Sequence, residues 1–257
     1  MAGAPEAHVH QDAQELAAEA ADLFLWLADQ AIATRGQFAV ALSGGTTPKA
    51  VYRTLASTQS KLDWTKVLFF FGDERCVPPS HEDSNFLMAQ TSLFQPLGIP
   101  ETRIFRMAGE LDPEPASRAY EAIMRRTLGP SSGGWPRFDL VLLGLGEDGH
   151  TASLFPGTPA LGEQIRWVVP GFAPVGIKHR LTVTLNVINH ADVVLFLVAG
   201  AGKAQIARKV LEPSSSEAAP YPASLVHPTA GRYLWFLDKA AASDLTVTKQ
   251  HLSSREE

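Results

Sequence analysis

The sequence predicts an α/β fold, a mainly parallel sheet with helices on both faces. Two observations carry this. Short apolar runs alternate along the 257 residues with segments of helical period, the rhythm of strand–helix–strand units. Several runs, VLFFF, DLVLL and DVVLFLV among them, are continuously apolar rather than alternating, as strands buried on both faces are.

Each element follows in order. From Gln11 to Thr34, Leu16, Ala20, Leu23, Leu27 and Ile32 recur at helical spacing, and Gly36 supplies the stop. FAVAL, from Phe38, is a short strand, broken by SGGTTP before the helical KAVYRTLAS. KVLFFFGDE, from Lys66, is an apolar strand ending in charge. SNFLMAQTSLF and PASRAYEAIMRRTLG have helical period, and FDLVLLG is a buried strand. RLTVTLNVI alternates, which predicts a half-buried strand. DVVLFLVAG is a buried strand, GKAQIARKVLE a helix after it, and RYLWFLDKAAAS a strand then a helix. Two Pro/Ser/Gly/Ala-rich stretches, around Ser131 and Ser215, predict surface loops, and the terminal SSREE a frayed end. The strand–helix rhythm resumes after each loop, so one domain spans residues 1–257, with its core at about 11–245.

Composition narrows the function. A net charge of −5 with no dense Lys/Arg cluster lacks the footprint of a nucleic-acid binder, yet leaves room for a local basic pocket. The single Cys76 rules out an intramolecular disulfide framework and a cysteine zinc site, and fits a reducing compartment. The N-terminal residues do not have the pattern of a signal peptide. The apolar runs fall short of the roughly 20 residues that span a bilayer. A cytoplasmic protein without a membrane partner is the expectation.

In open parallel sheets ligands bind beyond the carboxyl ends of the strands, and four such ends carry polar chemistry. After FAVAL come Ser43, Gly44, Gly45, Thr46 and Thr47. The glycines let a backbone approach an anion, and the helix that follows aims free N–H groups at it; the alternative is a plain turn with a hydroxyl cap. The spacing is neither that of a Walker A loop nor GxGxxG. After VLFFF come Asp73, Glu74 and Arg75. They form either an internal ion pair, or an arginine for a negative substrate or oxyanion beside a polar contact or proton acceptor. After DVVLFLVAG, Lys203 stands just past Gly200 and Gly202, as a second anion contact or a solvated lysine. Arg180 opens RLTVTLNVI, either to pair with a phosphate or to rest in solvent.

The fourth end is GLGEDGHTASLF. Asp148 and His150 lie two residues apart among Gly144, Gly146 and Gly149. Histidine titrates near neutrality and can take a proton from water, with a carboxylate to orient it. The alternative makes His150 a helix cap and Asp148 a turn residue. No second His or Cys at ligand spacing supports a metal, and no G-x-S-x-G elbow supports a serine nucleophile. Activated water is the chemistry left.

Together LSGGTTP, FFGDERCVPPSHEDSN, FDLVLLGLGEDGHTASLFPG, RLTVTLNVIN, GKA, PASLV and WFLD, over about residues 38–238, resemble the 6-phosphogluconolactonase family, of the same superfamily as glucosamine-6-phosphate deaminase. The resemblance implies a three-layer α/β/α sandwich with a Rossmann-like, mainly parallel sheet. It implies hydrolysis of 6-phospho-D-glucono-1,5-lactone to 6-phospho-D-gluconate, the second step of the oxidative pentose phosphate pathway, with no metal or organic cofactor. It places the phosphate among Ser43, Gly44, Gly45, Thr46, Arg180 and Lys203. His150 is similar in position to the family's general base, with Asp148 beside it. Arg75 is similar to an arginine near the lactone or the phosphate, and Asp73 stands as the next candidate base. A monomer or weak homodimer acting on a small sugar-phosphate lactone is expected.

Two rivals remain at this point. The deaminase pattern carries a glutamate in an Asn-Glu-Pro context shortly after the Asp-Gly-His turn, where this chain has Leu154, Phe155 and Pro156; it also has Asp-Glu-Tyr where GDER stands here. A non-catalytic sugar-phosphate binding protein would keep the phosphate loop and have no need of His150.

Overall fold

The computed structural model describes residues 4–131, 133–213 and 221–246. Most of the stretch around Ser215 and all of SSREE lie outside the described residues. In chain order the strands are β1 (Glu6–His10), β2 (Phe38–Leu42), β3 (Val67–Phe71), β4 (Asp73–Arg75), β5 (Leu140–Leu143), β6 (Val168–Phe172), β7 (His179–Val183), β8 (Val193–Val198) and β9 (Arg232–Asp238). The helices are α1 (Ala13–Arg35), α2 (Thr46–Ser57), α3 (Asn85–Ala89), α4 (Gln95–Leu97), α5 (Pro113–Thr127), α6 (Leu185–Asn189) and α7 (Ala204–Leu211), with a π-turn, Gln90–Phe94, joining α3 to α4.

Six strands form one parallel sheet in the order β1-β9-β8-β5-β2-β3. Helices cover both of its faces, the expected three layers. The triple phenylalanine shows how the layers lock. Neighbouring residues of a strand point to opposite faces. Phe70 meets Phe105 and Phe138, whereas Phe69 and Phe71 both meet Phe94. All three rings are fully buried, each worth roughly 1.5–3 kcal/mol. α1 begins where Asp12 Oδ1 accepts the Gln14 and Glu15 N–H groups, each at 2.9 Å, and ends at Gly36. Its buried face is Leu16, Ala17, Ala20, Ala21, Phe24, Ala28 and Ala31.

The order of the strands locates the site. From β2 the chain steps outward to β3, then returns to the other side of β2 for β5 and moves on to β8 and β9. The direction reverses between β2 and β5. A crevice opens at such a switch point, beyond the carboxyl ends.

The structure departs from the sequence reading in five places. RLTVTLNVI is a strand only to Val183. There the Thr184 N–H donates to Trp167 O at 3.0 Å and its hydroxyl to Arg166 O at 2.9 Å. Held extended, Thr184 offers its carbonyl to Ile188 N–H and starts α6. That strand also belongs to a separate antiparallel sheet, β4-β7-β6, which suits its alternating pattern. DER, taken as a charged strand end, is itself β4; Gly72 bridges the two sheets, donating to Leu42 O and accepting from Val183 N–H, both at 2.8 Å. RYLWFLDKAAAS does not continue into a helix: Asp238 accepts the Ala241 N–H and closes a turn. Finally, the sheet begins at Glu6, ahead of the core boundary expected near residue 11.

Candidate active site

The switch point holds a cleft of about 260 Å³ lined by Ser43, Gly44, Gly45, Thr46, Thr47, Asp73, Arg75, Asn85, Gly144, Gly146, His150 and Lys203, with apolar neighbours. It is small beside the roughly 300–1,000 Å³ of drug-sized sites and fits one small molecule. All four predicted strand ends meet there.

The loop after β2 is fixed from beneath. The buried Tyr52 hydroxyl accepts the Ser43 N–H at 3.0 Å and donates to Ser43 O at 2.8 Å; burial pushes its pKa well above the ordinary value. No side chain caps α2 at Gly45, and the Ser43 hydroxyl bonds to Gly44 O instead. The hydroxyl-capped turn is therefore not what forms. The first-turn N–H groups of α2 stand at the cleft without a capping side chain, as an anion site requires.

Gly44 is there because nothing larger fits. A Cβ at this position would overlap the Asn85 amide. Asn85 donates to Asp73 O at 2.9 Å and to Asp73 Oδ1 at 3.2 Å. Asp73 Oδ2 accepts the Ser153 hydroxyl at 2.6 Å. Glu74, almost wholly buried, accepts N–H groups from Arg75, Asn85 and Phe86 and the Ser84 hydroxyl, at 2.8–3.1 Å. Burial raises its pKa, opposed by these backbone N–H groups. Neither acid pairs with the Arg75 guanidinium, so the internal ion pair is not the arrangement. Arg75 Nη1 donates to Asp83 O at 2.6 Å, and its buried Nε has no partner among the described residues.

Arg180 faces Arg75 across the β4–β7 pair and donates from Nε to Ile177 O at 2.9 Å. It does not line the cleft. Burial and then the Arg75 charge depress its pKa, with Asp73 opposing. Like charges directly opposite on paired strands repel, so an anion near both is favoured.

In the turn after β5, Asp148 Oδ1 lies 2.5 Å from His150 Nδ1 and accepts the His150 N–H at 3.1 Å. The turn bond of the bland alternative and the orienting contact of the functional one both form. A carboxylate only accepts, so Nδ1 carries a hydrogen, and in the neutral ring that leaves the lone pair on Nε2. The Phe155 ring packs on the imidazole with 4.2 Å between centroids. Ala152, in the cleft wall, has φ 49, a left-handed conformation that costs a non-glycine residue roughly 1–2 kcal/mol. After β8, Gly200 (φ 97) turns the chain so that Lys203 reaches the cleft.

Sequence reasoning missed Asn85, Tyr52 and Ser153. Asn85 lay inside the quoted SHEDSN, and its place at the head of a helix behind Ser84 was the available signal. Tyr52 and Ser153 act through tertiary contacts that spacing does not show. Among the described residues, no group of three or more His, Cys, Asp or Glu is placed to hold a metal ion. No helix there is long and apolar enough to cross a membrane.

Fold and site together define an α/β/α protein with an anion-receptive strand-end cleft and an oriented Asp–His pair inside it. The chain belongs to the family described as glucosamine-6-phosphate isomerases/6-phosphogluconolactonase, whose model matches residues 11–235. It is 42% identical over 241 residues to a 6-phosphogluconolactonase of Nostoc sp., covering 92% of this chain and 96% of that one. It is 39% identical over 247 residues to the Homo sapiens 6-phosphogluconolactonase, covering 93% of each. The solved 6-phosphogluconolactonase of Trypanosoma brucei superposes with a TM-score of 0.83 at 32% identity, covering 94% of this chain and 98% of that one.

Proposed function

We infer that this chain is an enzyme that hydrolyses 6-phospho-D-glucono-1,5-lactone to 6-phospho-D-gluconate, the second step of the oxidative pentose phosphate pathway. Relatives of that name match over nine-tenths of the chain. The family also includes isomerases that open amino sugars, so fold and family alone do not choose. The observation that carries the choice is Phe155. Buried, and packed against His150, it stands with Leu154 and Pro156 where the deaminase pattern needs a glutamate.

The mechanism this geometry supports starts with phosphate held by the Ser43–Thr46 loop at the head of α2 and by Lys203, with Arg180 adding positive charge from beside Arg75, outside the cleft wall. Nε2 of His150 takes a proton from a water molecule whose oxygen attacks C1 of the lactone. The C1 oxygen gains the negative charge, stabilised by Arg75 or by backbone N–H groups of the glycine turns. The bond from C1 to the ring oxygen then breaks, and the ring oxygen takes the proton from His150. General-base catalysis accounts for about 10²–10⁴-fold, and each oxyanion donor for about 10²–10³-fold. Asp73, with both oxygens engaged by Ser153 and Asn85, serves as a fixed acceptor in the wall and leaves base work to His150. The chain would work in the cytoplasm as a monomer or weak homodimer, with neither nucleic acid nor membrane as partner.

The test is an NMR time course on freshly generated lactone, with the uncatalysed background subtracted and His150→Ala alongside. Acceleration lost in the variant supports function and base together. Acceleration retained moves the base to Asp73. No acceleration removes the lactonase reading and sends the work to ammonia release from glucosamine 6-phosphate.

A further inference from the structure

Lys203 reaches the cleft from a turn whose first residue, Gly200, has no side chain to anchor it. Gly200 sits at φ 97, and beyond its two chain neighbours nothing stands within 4 Å of the place a Cβ would take. What fixes the turn is a carboxylate from the next strand. Asp238, the last residue of β9 and 6% exposed, takes the Gly200 N–H on both oxygens, at 3.0 and 2.9 Å. Its Oδ1 also accepts the Ala241 N–H at 2.7 Å. The Gly200 carbonyl then accepts the Lys203 N–H at 3.0 Å and closes the short turn that leads into α7. One buried acid thus ties the end of β9 to the peptide that determines where the lysine starts.

We propose that Asp238 is a positioning residue for the phosphate subsite, setting the Gly200–Lys203 turn so that the lysine ammonium meets the anion of the substrate. This rests on the phosphate role given to Lys203 above. A charged acceptor is well suited to the task, because hydrogen bonds to an ionised group are roughly twice as strong as neutral ones. Asparagine cannot replace it. One of its two polar atoms is an NH₂ group, which would face the Gly200 N–H donor to donor.

The experiment uses the full chain and compares wild type, Asp238→Asn, Lys203→Ala and the double variant. It measures KM and kcat on the lactone, the Kd of 6-phosphogluconate by calorimetry, and Tm. Asp238→Asn is expected to raise KM and product Kd about 5- to 10-fold, the scale of one lost hydrogen bond, with kcat changed less than about twofold. The double variant is expected to bind no worse than Lys203→Ala, because both changes remove one contact. A purely structural acid would lower Tm and leave the split between KM and kcat untouched. Should Asp238→Asn not fold, Gly200→Ala, which strains the same turn and keeps the acid, must show the same KM signature. Wild-type KM in Asp238→Asn, or fully additive effects, with Lys203→Ala impaired, overturns the positioning role alone. Wild-type KM and Kd in Lys203→Ala overturns the phosphate role of the lysine, and the positioning role with it.

Discussion

The Asp148 carboxylate holds His150 twice, at the ring Nδ1 (2.5 Å) and at the backbone N–H (3.1 Å). One contact selects the tautomer and the other fixes the turn. Both contacts fall on the same oxygen, Oδ1, so Asp148→Ala removes them together and leaves nothing to select the tautomer. A wrong tautomer cripples a histidine base, so kcat should fall by at least about 10-fold and by no more than the ~10²–10⁴-fold expected for His150→Ala. In the double variant the rate should equal that of His150→Ala alone, because residues acting as a unit are not additive. Steady-state rates on the lactone decide it; independent, multiplying losses would show that Asp148 acts outside the pair.

Gly44→Ala forces a methyl into the Asn85 amide. Either the loop after β2 moves or Asn85 swings away from Asp73. Overpacking of this kind costs roughly 1–3 kcal/mol, and the loop is the part free to yield. KM and product Kd should rise while the fold survives. Calorimetric titration with 6-phosphogluconate reports the Kd, and wild-type affinity in this variant would place the anion elsewhere.

Glu74 gives a pH signature with a definite sign. Its folded-state pKa lies above the ordinary 4.5, through burial. The folded protein therefore binds the proton more tightly than the unfolded chain does. Below the ordinary value both states are protonated and the folded state is at its best relative to this group. As pH rises through the folded pKa, ionisation lowers stability. The stability of wild type minus that of Glu74→Gln should thus be larger at pH 4 than at pH 7. Urea unfolding at both values measures it; a difference that grows with pH would contradict the assignment.

Ala152→Gly should break the usual rule for alanine-to-glycine changes. In a helix such a change costs roughly 0.5–1 kcal/mol. Here φ is 49, and glycine relieves roughly 1–2 kcal/mol of left-handed strain. Stability should be unchanged or slightly higher. Chemical denaturation settles this, a loss above about 1 kcal/mol counting against strain at Ala152.

Much of this was legible in the sequence, for physical reasons. FAVAL, VLFFF, DLVLL and DVVLFLV are buried on both faces, and such strands have no polar side to blur the pattern. Their ends could be read as one edge because parallel strands share a direction. Short strands were not legible. Three residues of DER and five of VVPGF, with a proline in the middle, carry no period. EAHVH, β1, is half polar because it lies at the sheet edge. LNVIN follows an alternating run, and only the contacts of Thr184 with Arg166 and Trp167 make it helical. Among site residues, Ser43, Thr46, Asp73, Arg75, His150 and Lys203 were visible as strand-end chemistry. Arg180 was visible too, yet it stands beside Arg75 rather than in the cleft wall. Asn85 and Asp238 hold the site by bonds to distant backbone, which no local spacing announces.

β1 pairs along its whole length with β9, Glu6 opposite Leu234 and His10 opposite Asp238. On the ribosome, the earliest strand of the sheet must wait for the latest. β8 likewise lacks its outer neighbour until β9 emerges. Contacts so distant in sequence form late, after their loop entropy has been met. A nascent chain therefore carries β1 unpaired through most of its synthesis, and the outer edge of β8 from its own emergence until that of β9. The same strand that completes the sheet delivers Asp238 to Gly200, so the proposed phosphate subsite is finished only when the sheet is.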